Sequence, residues 1–162
     1  MPVVTYNPIG GIVYSPFKKP EGTPVQSVAT KDTFATIEIF PEYTEGLKDL
    51  DGFSHIYVLF HLHLAKSKSL LVIPFLDNVQ HGIFATRAPG RPNSIGISVL
   101  CLEKITGNIL HEKNIDILDG SPVLDIKPYI PLFDVFKTVK IGWFDKIKRK
   151  IEVQKDDGRF KK

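Results

Sequence analysis

The sequence contains a single cysteine, and it has neither an apolar run of membrane-spanning length nor a basic segment followed by an apolar stretch at its beginning. Cys101 has no partner for an internal disulfide, and its apolar neighbours are typical of a small buried side chain. Nothing in the sequence therefore signals membrane insertion or secretion. We expect a cytoplasmic protein with no membrane contact.

Motifs of the common catalytic scaffolds are absent as well. No Gly-x-Gly-x-x-Gly opens a helix after a strand, so a Rossmann-type nucleotide site has no fingerprint here. The segment Pro8–Gly11 lacks the Lys-Ser/Thr ending of a Walker loop. The sequence also has no Gly-x-Ser-x-Gly elbow and no Cys-x-x-Cys pair, which argues against the usual hydrolase and redox sites.

What is present is typical of one globular domain rich in strands. The chain has 162 residues, of which 43% are hydrophobic and 24% charged. Short aromatic and β-branched runs are separated by Gly, Asn, Asp and Pro, a pattern that predicts strands. The predicted fold class is mainly β, a small closed or nearly closed β-barrel with one or two short helices. We predict strands over 9–15, 33–40, 54–64, 82–86, 95–105, 109–118 and 123–126, and a short helix over 42–50, with 135–151 unassigned.

Charge divides the chain into two unequal parts. Residues 146–162 carry eight basic and three acidic side chains, whereas the net charge of the whole chain is only +3. We therefore predict a barrel domain over 1–145 and a basic C-terminal tail over 146–162. Such a tail can attract the phosphates of a nucleic acid independently of the nucleotide sequence, or it can be a solvated terminus. The charge alone leaves both readings open.

The loop within Gly82–Gly96 concentrates Arg, Pro, Gly and Asn between two apolar runs. Arg87 and Arg91 are four residues apart, so both guanidinium groups can lie on one rim of a site that binds a carboxylate or phosphate. Pro92 restricts the backbone before Asn93, whose amide offers a donor and an acceptor to a base edge. Alternatively, this is a surface loop whose arginines pair with nearby acids.

A second constellation runs from Asp116 to Tyr129 and contains the turn Asp119–Pro122. The carboxylate of Asp119 is placed to accept hydrogen bonds from a ribose hydroxyl or a ligand ammonium group. On the extended segment that follows, Asp125, Lys127 and Tyr129 alternate and therefore share one face. The alternative is an ordinary turn followed by a salt-bridged edge strand.

A histidine pair offers a third possibility. His61 and His63 are two residues apart on a predicted strand, so both could face one metal ion, with His55 and His81 as further ligands. No Asp or Glu follows closely enough to complete a local metal motif. We favour histidines that line a pocket, predict no metal site, and keep a metal-dependent barrel enzyme as a weak alternative.

Several short segments, spread over most of the chain from about residue 8 to 145, match the sequence pattern of one protein family. The matching segments are Pro8–Phe17, Gly22–Gln26, Phe53–Ile56, Phe84–Arg87, Arg91–Asn93, Ile95–Gly96 and Leu118–Tyr129. The chain resembles the TsaA/TrmO-like family of small β-barrel proteins that bind S-adenosylmethionine. The best-known members of that family methylate the exocyclic amine of threonylcarbamoyladenosine beside the tRNA anticodon.

The resemblance implies a methyltransferase with S-adenosylmethionine as cofactor, tRNA as partner, and a homodimer with the cofactor near the subunit interface. It places the substrate against three side chains with catalytic roles, Arg91, Asn93 and Tyr129. Val25 stands where the family commonly has arginine, and Ser94 replaces a family proline. The cofactor contacts implied by the resemblance are Pro24, Val25, Gln26, His63, Leu64, Arg87, Leu118, Asp119, Gly120 and Ser121.

Methyl transfer from a sulfonium needs in-line placement more than a strong acid or base. Carboxylates near the site can stabilise the cationic donor and receive the amine proton late in the reaction. A barrel that binds S-adenosylmethionine but acts on another substrate, or transfers no methyl group at all, is the main alternative.

Overall fold

The computed structural model describes residues 2–27, 32–138, 140–146, 155–158 and 160 of the chain. Eight strands and one short α-helix account for most of its regular structure. The strands are β1 (Gly10–Tyr14), β2 (Phe34–Ile39), β3 (His55–His61), β4 (Leu71–Val72), β5 (His81–Gly82), β6 (Ile95–Thr106), β7 (Ile109–Lys113) and β8 (Pro122–Pro128), and the helix is α1 (Pro131–Asp134).

Six of the strands form a closed barrel in the order β1-β2-β7-β6-β3-β8, and the pairing of β1 with β8 completes the circle. Every neighbouring pair in the barrel is antiparallel. The short strands β4 and β5 pair separately, outside the barrel. The predicted fold class, a small closed β-barrel with few short helices, is confirmed.

Alternating side chains fill the barrel. On β3, Ile56, Val58 and Phe60 point inward and are buried, whereas the residues between them are more exposed. Each such apolar side chain stabilises the fold by about 1.5–3 kcal/mol relative to exposure to water. Phe60 pairs with Gly96 on β6, where an added Cβ would overlap the phenyl ring. Glycine is therefore required at this position for the ring to lie across β6.

Glu112 is the exception inside the barrel. It is 1% exposed, pairs in register with Ala35 and Leu102, and neither of its carboxyl oxygens has a hydrogen-bond partner in the described part of the chain. Burial, with a smaller contribution from Glu103, raises the pKa of Glu112 to about 8. The side chain is therefore mostly protonated at physiological pH.

Local geometry departs from the sequence prediction at three places. The stretch predicted as a strand over 82–86 is mostly a 3-10 helix, Ile83–Ala85, closed by the hydroxyl of Thr86, which donates to the carbonyl of Ile83 at 2.9 Å. The strand predicted to reach residue 118 ends at 113, because Asn114 adopts a left-handed φ of 60° and leaves the ladder. The predicted helix over 42–50 is instead two 3-10 helices, Pro41–Leu47 and Leu50–Gly52.

Among the described residues, no helix has the length and apolar character needed to cross a bilayer.

Candidate functional site

A cavity of about 680 Å³ lies where β3 ends and where β6 and β8 begin. Its size falls in the range of small-molecule sites, roughly 300–1,000 Å³. Apolar side chains line most of it, and a small set of polar groups converges among them. Such a combination is the usual form of a ligand site.

Most of the side chains that the resemblance assigns to a cofactor meet in this cavity. They come from four separate stretches of chain that only the folded barrel brings together. The residues of that set that line the cavity are Pro24, Val25, Gln26, His63, Leu64, Arg87, Leu118 and Ser121. Asp119 and Gly120 are not among the described residues that line it.

Arg87 and Gln26 connect two of these stretches directly. The Nη1 atom of Arg87 donates a hydrogen bond to Oε1 of Gln26 at 2.7 Å. The amide nitrogen of Gln26 in turn donates to the carbonyl oxygen of Val25 at 2.7 Å. The Arg87 side chain is exposed, so part of its guanidinium group can meet an anion at the rim of the cavity.

His63 and Ser121 connect the other two stretches. The Nδ1 atom of His63 lies 3.1 Å from Oγ of Ser121, and the serine is buried. Burial lowers the pKa of His63, and the neighbouring His61 lowers it further. The imidazole is therefore neutral at physiological pH and offers one donor and one acceptor.

The two histidines of the possible metal pair have different hydrogen-bond partners. β3 ends at His61, whose Nδ1 lies 3.2 Å from the carbonyl oxygen of Ser94, whereas His63 turns to Ser121. Nowhere in the part of the chain that the structure describes do three His, Cys, Asp or Glu side chains group closely enough to hold a metal ion. The metal-dependent barrel enzyme stays an alternative without a group of ligands among the described residues.

Asp119 has other partners. Its Oδ1 accepts a hydrogen bond from the backbone of Ser15 at 2.9 Å, and its Oδ2 lies 2.9 Å from Nζ of Lys18. Lys18, together with the Ser15 amide, lowers the pKa of Asp119. The carboxylate thus ties the turn before β8 to the segment after β1. A direct contact between Asp119 and a ligand stays a prediction.

The residues assigned to the substrate are separated. Arg91 lines the cavity, and its Nη1 donates to the carbonyl oxygens of Ile83 at 3.1 Å and Thr86 at 2.8 Å. This contact fixes the 3-10 helix of the arginine-rich loop. Asn93 and Tyr129 are not among the described residues that line the cavity.

Tyr129 lies toward the opposite end of β3. Its ring packs edge-on against Tyr57 at 5.4 Å, and its backbone amide donates to the carbonyl oxygen of His55. On the same strand segment, Lys127 forms an ion pair with Asp125 at 2.7 Å. Within a single chain, Tyr129 therefore does not line the cavity. The role of Tyr129 toward a substrate stays a prediction.

Asp116 is a cavity residue to which sequence reasoning assigned no role. Oγ of Ser98 donates a hydrogen bond to its Oδ1 at 2.6 Å. Burial raises the pKa of Asp116 to about 6, while the bond from Ser98 and the charge of Arg87 act in the opposite direction. The available signal was an acidic residue between Ile115 and Ile117 in an otherwise apolar run.

The C-terminal part of the chain also reaches the cavity. Trp143 lines it, and its Nε1 donates to the carbonyl oxygen of Ala85 at 2.8 Å. Asp156 pairs through its backbone with Gly22 and Thr23, beside the cofactor stretch 24–26. Of the predicted basic tail, only residues 146, 155–158 and 160 belong to the described part, and the remainder lies outside it.

The chain is similar in sequence to known proteins. The family model described as tRNA-methyltransferase O N-terminal domain matches residues 12–135. A probable S-adenosyl-L-methionine-binding protein of Pyrococcus abyssi is 55% identical over 158 residues, which cover 98% of this chain and 85% of that protein. The tRNA (adenine(37)-N6)-methyltransferase of Homo sapiens is 37% identical over 131 residues, which cover 76% of this chain and 30% of that enzyme.

A solved structure has the same fold. The crystal structure of TrmO from Pseudomonas aeruginosa superposes with a TM-score of 0.73 at 36% sequence identity, and the match covers 87% of this chain and 62% of that one. The chain therefore spans less than two thirds of the solved TrmO chain that it matches.

Proposed function

Because this chain belongs to the tRNA-methyltransferase O N-terminal domain family, we propose that it binds S-adenosylmethionine in the cavity and methylates a nucleoside of tRNA. One observation carries the proposal. Eight of the ten side chains expected to contact the cofactor, from four distant stretches of sequence, line a single cavity of suitable size. The name of the Pyrococcus abyssi relative supports the choice of cofactor.

The polar groups of the cavity fit the charges of this cofactor, which carries a carboxylate, an ammonium group and a sulfonium. The guanidinium of Arg87, oriented by Gln26, suits a carboxylate. The carboxyl of Asp116, held by Ser98, suits a cation. His63 and Ser121 are neutral and can bind hydroxyl or amine groups without adding charge.

We propose the exocyclic amine of threonylcarbamoyladenosine beside the tRNA anticodon as the methyl acceptor. The name of the human relative, with its position-37 adenine, supports this choice. Arg91 lines the cavity and carries a guanidinium, which suits the threonyl carboxylate or a tRNA phosphate. When bound, S-adenosylmethionine supplies an activated methyl group.

The residues of this chain then have two tasks in the transfer. The cavity holds donor and acceptor in line and excludes water, which accounts for most of the rate enhancement in a reaction of this type. Asp116 accepts the proton that the amine releases. A carboxyl with a pKa of about 6 is mostly ionised at neutral pH and is a stronger base than an ordinary aspartate.

The deciding experiment incubates the protein with S-adenosylmethionine and tRNA that contains threonylcarbamoyladenosine, followed by mass spectrometry of the digested nucleosides. We expect that nucleoside to become heavier by one methyl group. A parallel reaction uses the same tRNA without the threonylcarbamoyl group, and methylation there would move the acceptor to adenine itself. Binding of S-adenosylmethionine by calorimetry without any transfer would favour the alternative of a binding protein with another substrate.

A homodimer is also part of the proposal. Ile95 and Ile97 alternate on β6 at the edge of the cavity, which both of them line, and they are 38% and 49% exposed. A second copy could cover this edge. Analytical ultracentrifugation should give twice the mass of the chain, and Ile97→Glu should give a folded monomer. The cytoplasmic location expected from the sequence suits a tRNA substrate and stays a prediction.

A further inference from the structure

The aromatic lining of the cavity comes mainly from the C-terminal part of the chain. Among the described residues, five Phe, Tyr or Trp side chains line the cavity. Three of them follow the stretch 12–135 that the family model matches. The two from the barrel domain are Phe60 and Phe75, and the three from the C-terminal part are Trp143, Phe144 and Phe160.

Trp143 is held firmly in place. The ring of His81 stacks on it with 4.7 Å between ring centroids and 19° between ring planes. Nε2 of His81 is itself bonded to Oδ2 of Asp77 at 2.9 Å, and this contact lowers the pKa of Asp77. The indole nitrogen donates to the carbonyl oxygen of Ala85. His81 packs on the face of the indole ring, and Ala85 accepts a hydrogen bond from its one polar atom. The orientation of Trp143 is therefore fixed before a ligand binds, and the ring forms part of the cavity wall.

Two more rings extend this surface. Phe144 lies 4.0 Å from Trp143 between ring centroids. Phe160 packs edge-on against Phe75 at 5.1 Å and also contacts the small buried cluster that contains Ile83. The wall is joined to the cofactor stretch, because Pro24 forms a β-bridge with the backbone of Lys155. We call Trp143, Phe144 and Phe160 the aromatic wall.

We propose that the aromatic wall binds the purine ring of the cofactor. This inference rests on the proposed function, which supplies S-adenosylmethionine as the ligand. The guanidinium of Arg87 suits the carboxylate at the amino-acid end of that ligand, whereas the purine is flat and weakly polar. Trp143 already contacts the rings of His81 and Phe144, so the purine packs against the aromatic wall as a whole. Stacking of a base on an aromatic side chain contributes about 1–3 kcal/mol. The C-terminal residues thus complete a site that the barrel alone leaves with two aromatic side chains.

The chain provides its own probe of this contact, because Trp143 is its only tryptophan. Titration with S-adenosylmethionine should change the tryptophan fluorescence, and the change should saturate with the dissociation constant that calorimetry gives. The purine nucleoside 5′-methylthioadenosine, which lacks the amino-acid end, should produce the same change at higher concentration.

Substitutions then test the energy of the contact. We expect Trp143→Ala to weaken binding of both ligands by the same factor, about tenfold or more. Phe144→Leu keeps an apolar side chain and should weaken the binding of both ligands by a smaller factor. This variant replaces Trp143→Ala in the test if Trp143→Ala does not fold. Phe136→Ala is the matched control, since Phe136 is 77% exposed and is not among the described residues that line the cavity.

The outcomes separate this inference from the proposed function. If the unmodified protein binds no S-adenosylmethionine in calorimetry, the proposed cofactor is wrong. If it binds the cofactor, but the fluorescence does not change and Trp143→Ala has the unmodified affinity, the aromatic wall does not bind the purine. Weaker binding of S-adenosylmethionine with unchanged binding of 5′-methylthioadenosine would also overturn the inference, because it would assign the wall to the amino-acid end.

Discussion

The barrel and the cavity each contain a carboxyl group with a raised pKa. Glu112 lies on β7 and Asp116 follows four residues later, but the two groups have different neighbours. Glu112 faces the barrel core, and in the described structure neither of its oxygens has a hydrogen-bond partner. Asp116 faces the cavity and accepts a hydrogen bond from Ser98. Burial raises the pKa of Glu112 to about 8 and that of Asp116 to about 6.

The difference shows what makes a buried acid useful for chemistry. At neutral pH Asp116 is mostly ionised and borders open space, so it can take a proton from a ligand. Glu112 is mostly protonated and enclosed, so it acts only on the stability of the fold. The same physical effect, loss of solvation, therefore gives a functional group in one place and a stability cost in the other.

The largest expected effect comes from replacing the acid in the cavity. Asp116→Asn keeps the shape and the contact with Ser98 but removes the proton acceptor, so methyl transfer should fall by about 10²–10³-fold. The affinity for S-adenosylmethionine should fall by a smaller factor, because the carboxylate of Asp116 also suits a cationic group of the cofactor. Single-turnover assays and calorimetry measure the two quantities. Glu112→Gln is the control, and equal losses in both variants would contradict the distinction between the two acids.

The second effect is on stability and concerns the acid in the core. Because the pKa of Glu112 is raised from its ordinary value of 4.5 to about 8 on folding, the folded state holds a proton that the unfolded state has released. The free energy of unfolding should therefore decrease as pH rises from about 4.5 to about 8, by a few kcal/mol. Denaturant unfolding at pH 5, 7 and 9 measures this.

Glu112→Gln should flatten this decrease, since a neutral amide does not titrate. Asp116→Asn also removes an acid whose pKa is raised, but by less, so it should remove only a smaller part of the decrease. A Glu112→Gln variant with the same pH dependence as the unmodified protein would mean that the core acid is not the cause.

A third, smaller effect should follow from Ser98→Ala. The hydroxyl of Ser98 stabilises the charged form of Asp116, so its removal should raise the pKa of Asp116 above about 6. The rate of methyl transfer decreases at low pH because Asp116 becomes protonated. In Ser98→Ala this decrease should begin at a higher pH than in the unmodified protein. A pH–rate profile checks this, and an unchanged acid limb would show that Asp116 does not control it.

The smallest effect is expected at Asp119, the half-buried acid of the same region. Asp119→Asn removes an ion pair with Lys18, which is mostly exposed, so the free energy of unfolding should fall by less than about 1 kcal/mol. Because the pKa of Asp119 is lowered in the folded state, this loss should be present at neutral pH and disappear in acid. Thermal unfolding at pH 7 and pH 3 compares the two conditions, and a loss that is equal at both would rule out the ion pair.

Much of the barrel was predictable because it depends on local pattern. Alternation of polar and apolar residues identified β2, and aromatic and β-branched runs bounded by turn residues identified β3 and β6. The resemblance named eight residues that line the cavity without any coordinates. The prediction failed where a single residue changes the backbone direction. The left-handed conformation of Asn114, which ends β7, leaves no mark in the pattern of apolar residues.

The candidate site was only partly predictable, because its polar contacts join distant residues. Sequence reasoning gave a role to Asp119, in the turn of the second motif, and none to Asp116, the first residue of the same motif. The structure places Asp119 against Ser15, more than a hundred positions earlier, and leaves Asp116 to the cavity. Likewise, Arg91 carries the charge expected of a substrate contact, but two backbone carbonyls already occupy its Nη1.

The sequence by itself determined a small β-barrel of one family, because strand alternation and motif residues are properties of short stretches. Only the tertiary structure decided which acid faces the cavity and which ring lines it. Trp143 stands in a stretch with no clear periodicity, and its partners His81 and Ala85 lie about sixty residues earlier. Burial and hydrogen bonding depend on such long-range neighbours, and these set the pKa of Asp116 and the position of the aromatic wall.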